Sequence, residues 1–315
     1  MNRIAAFESR PQIVLPKGDG LEPGSGPGAH GAPPPSSHFV EAGTARLHYL
    51  VAPPRRATAP ALLLIHGTGS NAASWHYQLR GLRAVARPVA VDLPGHGLSA
   101  RTPAPSIPAY AAAVAETMTC LSPGRFFVAG HSLGGTVALE LALRYPNRVR
   151  GVILISTGAH FPALAATPSL FLLPVAVAPG KFRDLFLGEG VSAEALALAR
   201  AAVAGCPPDI IRADIGAAKA FDARAALPCL RSPALILCGT EDHITPPRYA
   251  AWLKEGLPDS RIVLVRGAGH MLPLERPDEV NAALARFLRG QRFLPRMLRR
   301  AGRGAASLLR HSLRQ

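Results

Sequence analysis

The chain has 315 residues, 48% of them hydrophobic and 17% charged, which suits one large domain with an insertion. Its 35 Lys and Arg against 20 Asp and Glu give a formal net charge of +15, a balance that invites a nucleic-acid reading. Only Lys17, Lys181, Lys219 and Lys254 accompany the arginines, and the charge gathers at the C-terminus, so a general nucleic-acid surface is disfavoured.

Residues 1–37 are rich in Gly and Pro, with Pro33-Pro34-Pro35 near their end, and are expected to form a flexible leading segment. Glu8 and Arg10 interrupt the start early, and no long apolar stretch follows Met1, so no secretory signal is expected and the location implied is cytoplasmic. Strands are predicted near Phe39–Ala42 and Ala45–Val51. Further strands are predicted over Ala61–Ile65, Pro88–Asp92, Phe126–Ala129, Val152–Ser156, Ala234–Cys238 and Ile262–Val265. Helical patterns alternate with these, which predicts a mostly parallel sheet covered on both faces.

The connection between Ser156 and Pro233 is far longer than one crossover needs. Its surplus, residues 160–231, is predicted to be a helical cap. It is apolar over Phe161–Ala178 and alanine-rich over Val191–Val203. Phe171–Val177 is too short to span a bilayer and is broken by Pro174. The core is thus expected to occupy 38–159 and 232–290. Residues 291–315 form a basic tail. Over Gln291–Gly302, apolar residues recur at three- and four-residue steps among Arg292, Arg296, Arg299 and Arg300. That pattern suits peripheral contact with an anionic membrane, although Pro295 fits a helix only in its first turn. Beyond Gly302 a solvated tail is the simpler expectation.

One segment carries chemistry. Gly130-His131-Ser132-Leu133-Gly134-Gly135 fits Gly-x-Ser-x-Gly, follows a predicted strand and opens a helical pattern. Strand, sharp turn and helix is the context of a nucleophile elbow. Glycine at positions 130 and 134 lets strand and helix pass closely, and the helix N-terminus presents free N–H groups to an anion. A serine hydroxyl is a poor nucleophile without a general base, and the base needs an orienting partner. Downstream, one strand ends in Gly239-Thr240-Glu241-Asp242-His243 and another in Gly267-Ala268-Gly269-His270-Met271. The order Ser132, Asp242, His270 is the serine–acid–histidine order of one hydrolase class.

The chain resembles the α/β-hydrolase superfamily from about Phe39 to Leu288. The resemblance also rests on His66-Gly67-Thr68-Gly69 after a predicted strand, on Trp75, and on Val91-Asp92-Leu93-Pro94-Gly95-His96-Gly97-Leu98-Ser99. It implies the α/β-hydrolase fold, with about eight strands, helices on both faces and a helical cap over the site. It also implies Ser132 as nucleophile, His270 as general base and Asp242 as orienting acid. The backbone N–H groups of Thr68 and Leu133 would form the oxyanion hole. Glu241 is the rival acid. Gly67, His131 and Met271 are expected to line the substrate site, and Asp92 to turn its loop through bonds to backbone.

Cys120, Cys206, Cys229 and Cys238 are scattered, no His-Glu-x-x-His occurs, and no phosphate-binding glycine loop is evident, so no metal and no cofactor are expected. Serine at the elbow, where dehalogenases and epoxide hydrolases of the superfamily carry aspartate, implies two-step acyl transfer. A small carboxylic ester with an apolar acyl or aryl group is the expected substrate. A thioesterase, lactonase, carbon–carbon hydrolase or perhydrolase would use the same residues, and a ligand-binding homologue without turnover would keep the fold.

Overall fold

A computed structural model describes residues 34–42, 45–101, 104–162 and 179–290. Within them, one sheet contains β1 (Ser36–Ala42), β2 (Ala45–Val51), β3 (Ala61–Ile65), β4 (Arg87–Val91), β5 (Phe126–His131), β6 (Val149–Ile155), β7 (Ala234–Gly239) and β8 (Ser260–Val265). The strand order is β1-β2-β4-β3-β5-β6-β7-β8. The β1–β2 and β2–β4 pairs are antiparallel, and the pairs from β4 through β8 are parallel.

The helices are α1 (His76–Gly81), α2 (Ile107–Leu121), α3 (Leu133–Arg144), α4 (Pro179–Phe186), α5 (Ala193–Ala204), α6 (Pro208–Ala220), α7 (Pro247–Gly256), α8 (Leu272–Glu275) and α9 (Pro277–Leu288). Central strands such as Ala61-Leu62-Leu63-Leu64-Ile65 are apolar without alternation, because both sheet faces are covered. Their side chains still divide by parity. Leu63 and Ile65 join Tyr110, Val114, Val137 and Leu141 on one face. Leu62 and Leu64 join Trp75, Leu79, Leu284 and Phe287 on the other.

The chain leaves β3 outward to β4 and then returns to β5 on the opposite side. The C-terminal ends of β3 and β5 lie side by side, with Ile65 opposite Gly130. At such a switch point the following loops diverge and leave a crevice, the usual ligand site of open parallel sheets.

The predicted strands occur where expected, with ends moved by a few residues. β1 begins at Ser36, inside the segment expected to be flexible through residue 37. Its serine hydroxyls have partners, since Ser36 Oγ donates to Val51 O and Ser37 Oγ lies 2.8 Å from His48 Nε2. The alanine-rich helix of the insertion is α5, capped by Ser192 Oγ, which accepts from Ala195 N. A bridge between His160 and Asp222 closes the insertion at its base. Residues 1–33, most of the apolar stretch Phe161–Ala178, and the basic segment Gln291–Gly302 lie outside the described residues. Among the described residues no helix is long and apolar enough to cross a membrane.

Two glycines set the geometry at the switch point. A Cβ at Gly130 would overlap Gly134 O, and a Cβ at Gly134 would overlap Ile65 O. These neighbours are backbone atoms of packed elements and have nowhere to retreat. Gly134→Ala should therefore destabilise the chain by about 3 kcal/mol or more, measured by urea denaturation. A variant within about 1 kcal/mol of the parent would show that the crossing relaxes.

Candidate active site

Ser132 occupies the turn between β5 and α3 with φ +54° and ψ −120°. L-residues rarely adopt this backbone, so the surroundings must hold it. Ser132 N donates to Ile155 O at 2.9 Å. Ser132 O accepts from Gly135 N at 2.9 Å and from Thr157 Oγ1 at 2.7 Å. A side chain at Gly135 would collide with Thr157, so this bond needs the glycine.

The structure brings the three expected side chains together from three loops at one edge of the sheet. Ser132 Oγ lies 3.0 Å from His270 Nε2. His270 Nδ1 lies 3.1 Å and 3.0 Å from the two Asp242 oxygens. Asp242 Oδ1 also accepts from Ile244 N and Thr245 N, and Oδ2 from Thr245 Oγ1. Burial opposes the Asp242 charge, but His270 and these Thr245 bonds hold its carboxyl below the usual range. An ionised Asp242 can only accept, so His270 carries its proton on Nδ1 and turns the Nε2 lone pair to the Ser132 hydroxyl. The rival Glu241 is engaged elsewhere, accepting from Glu189 N at 2.8 Å.

Leu133 is the first residue of α3, so its N–H has no acceptor within the helix. The loop carrying Thr68 passes against the same serine, and a Cβ on Gly67 would stand 3.0 Å from Ser132 Cβ. Gly67 therefore lies against Ser132. His131 and Met271 take supporting places. His131 is 6% exposed, and its Nε2 donates to His270 O at 2.8 Å. Met271 is buried with Leu187, Ala199 and Leu274.

Several supporting residues were not foreseen. Phe186, at the end of α4, accepts from His270 N and Met271 N through its carbonyl, and its ring lies 6.0 Å from the His270 ring. Glu275 Oε2 accepts from Gly188 N at 2.7 Å and Gly269 N at 2.9 Å. The insertion is thus stitched to the loop that carries His270. Burial raises the Glu275 carboxyl pKa against the pull of those two N–H groups. Apart from Glu275 and Gly269, these partners are remote in sequence, and no local pattern announces them.

A second array shares the residue types of the first. His48 Nδ1 lies 2.7 Å from Asp92 Oδ2, and His48 Nε2 lies 2.8 Å from Ser37 Oγ. Ser37 sits on a regular edge strand, with neither a strained turn nor a following helix. Asp92 accepts from Leu98 N and Ala72 N as well. It holds its loop as the sequence suggested, and His48 completes that anchor.

The comparisons with known proteins place the chain in a family. A model of the alpha/beta hydrolase family matches residues 62–283. The chain belongs to that family. A pimeloyl-[acyl-carrier protein] methyl ester esterase of Nitrosomonas europaea is 32% identical over 236 residues, covering 70% of this chain and 92% of that protein. A thermophilic esterase from Thermogutta terrifontis superposes with TM-score 0.71 at 26% identity, over 81% of this chain and 98% of its own. A 2-hydroxy-6-oxo-6-phenylhexa-2,4-dienoate hydrolase from Rhodococcus sp. strain RHA1 does so with TM-score 0.69 at 26% identity, over 81% and 99%.

Burial also decides how two histidines near the site titrate. His66 falls from the ordinary 6.5 to about 4 and His131 to about 3, each through burial first and then a neighbouring histidine. Both are neutral in the folded chain and take up protons on unfolding below about pH 6.5. Their contribution to stability is complete above that pH and is lost as pH falls toward 4. His96 acts outside this window, because its bond to Asp214 and the Asp214 charge raise its pKa despite burial, so its contribution is complete below about pH 6.5 and is lost only as pH rises. We expect Tm to fall steadily from pH 6.5 to 4.5, with each buried neutral histidine costing up to about 1.4 kcal/mol per pH unit. A flat Tm over that range would contradict the assignment.

Proposed function

We propose that this chain hydrolyses a carboxylic ester through an acyl-enzyme on Ser132. The observation that carries this reading is the continuous hydrogen-bonded path from Ser132 Oγ through His270 to Asp242. In the first half-reaction Ser132 Oγ attacks the carbonyl carbon while His270 Nε2 takes its proton. The tetrahedral oxyanion forms beside the N–H groups of Leu133 and Thr68. Each such donor contributes a few kcal/mol to the transition state. His270 then gives the proton to the leaving alkoxide. Water, deprotonated in turn by His270, releases the acid and regenerates Ser132.

An apolar acyl or aryl group suits the side of the site formed by the insertion. The Phe186 ring meets the His270 ring edge-on, and Ile211 lies where a Cβ on Gly69 would reach it at 3.2 Å. The Nitrosomonas relative is named for a methyl ester carried on acyl-carrier protein, so methyl esters belong in the substrate panel. The Rhodococcus neighbour keeps a carbon–carbon hydrolase as the second reading. That reaction would use the same three residues.

A fluorophosphonate probe and p-nitrophenyl esters from acetate to palmitate test the proposal. Ser132→Ala should lose labelling and lower kcat by roughly 10⁴-fold or more. Asp242→Asn should keep the fold and lower kcat by about 10⁴-fold, since the wrong histidine tautomer would face the serine. Labelling without ester turnover would move the substrate to a thioester, lactone or diketone. Unchanged turnover in Ser132→Ala would overturn the serine mechanism.

A further inference from the structure

The insertion reaches the loop beside Ser132 through one buried carboxylate that the reaction above does not use. Asp214 of α6 is fully buried. Its Oδ2 accepts from Gly69 N at 3.3 Å and lies 3.0 Å from His96 Nε2. Its Oδ1 accepts from the Tyr110 hydroxyl at 2.9 Å. The three partners belong to the loop after β3, the loop after β4, and α2. Besides an exposed ion pair between Asp209 and Arg101, neighbouring contacts from the same helix are apolar. A Cβ on Gly69 would meet Ile211 at 3.2 Å, and one on Gly95 would meet Ile210 at 2.8 Å.

An ionised carboxylate is an expensive way to dock a helix, since an apolar residue of similar volume often serves stability as well or better. What a carboxylate adds is direction. His96 Nδ1 lies 3.2 Å from Pro94 O, a group that only accepts, while Nε2 faces Asp214. His96 is thus held between its own loop and the Asp214 carboxyl. His96 pins the Asp214 carboxylate, and the carboxylate pins Gly69 N.

That amide lies next to Thr68. The peptide before Thr68 is held through Gly67 O, which accepts from Ser70 N at 3.1 Å and from His66 Nδ1 at 2.8 Å. The peptide after Thr68 is held through Gly69 N by Asp214. The Thr68 N–H lies in the first of these planes, and Asp214 fixes the adjoining one, so Thr68 is held on both sides and its N–H cannot swing with the loop. We propose that Asp214 is a positioning residue: it aims the Thr68 N–H at the oxyanion formed on Ser132, so that the insertion must be seated before that donor is in place. The proposal rests on the serine acyl-enzyme reading. It says further that the insertion serves the chemical step as well as the pocket.

The test pairs Asp214→Leu, which keeps the branched heavy-atom shape and removes every acceptor, with Asp214→Asn, whose carbonyl can still accept from Gly69 N. Asp214→Leu should lower kcat by about tenfold to a hundredfold with KM within about twofold, since one donor is misaligned rather than deleted. An arylboronic acid, whose tetrahedral adduct loads the oxyanion hole, should bind weaker by the same factor. Hydrogen exchange in the peptide spanning residues 66–72 should quicken. Asp214→Asn should recover most of each loss. Unchanged kcat, boronate affinity and exchange in folded Asp214→Leu would overturn the proposal. So would losses that Asp214→Asn fails to recover. If Asp214→Leu does not fold, the parent protein still decides, because an unprotected Gly69 amide would refute the anchor. The exchange arm needs no turnover. Full activity in Ser132→Ala would thus sink the serine mechanism and leave the anchoring of the loop separately judged.

Discussion

The backbone of Ser132 can hold φ +54° only because β5 and α3 cross at nearly bare backbone. Gly130 and Gly134 leave no Cβ at the crossing, and the chain turns from strand to helix within one residue. Everything else at the site is arranged around this turn. The β3 end lies beside it, so the loop carrying Thr68 passes within contact of the serine. The β6 end supplies Ile155 O and the Thr157 hydroxyl, which grip the Ser132 peptide groups from the other side. Strain at this position is tolerated because three strands and a helix over-determine it.

The parallel sheet explains why distant residues meet there. The segments after β7 and β8 emerge at the same edge as those after β3 and β5, so Asp242 and His270 arrive beside Ser132. The carboxylate is saturated by N–H and O–H donors before it meets the histidine. That arrangement keeps it charged despite burial, and the charge fixes the imidazole tautomer. His131 and the Phe186 carbonyl hold the His270 loop from the core and from the insertion, respectively.

Among the described residues, two buried carboxylates join the insertion to the core, and each does so through backbone N–H groups near Ser132. Glu275 binds Gly188 of the insertion and Gly269 next to His270. Asp214 binds Gly69 next to Thr68. Apolar packing alone would hold the insertion against the core without setting the direction of either loop. Bonds to N–H groups set direction, because a hydrogen bond weakens steeply off axis.

Much of this was legible in the sequence. Apolar runs ending in Gly-x-Ser-x-Gly, in Gly-Thr-Glu-Asp and in Gly-Ala-Gly-His determined the strands, the elbow and the order of the three polar side chains. Each of these is a local pattern, and backbone sterics act locally. Other features were decided only by tertiary structure. Asp242, not Glu241, lies against His270, held by the donors around it. His131 and Met271 became supports for the His270 loop. His48, Thr157, Asp214 and Glu275 acquired partners between 6 and 145 residues away. A buried polar group must find a partner wherever the fold brings one within about 3 Å. That choice depends on how loops pack in space, which no local spacing encodes.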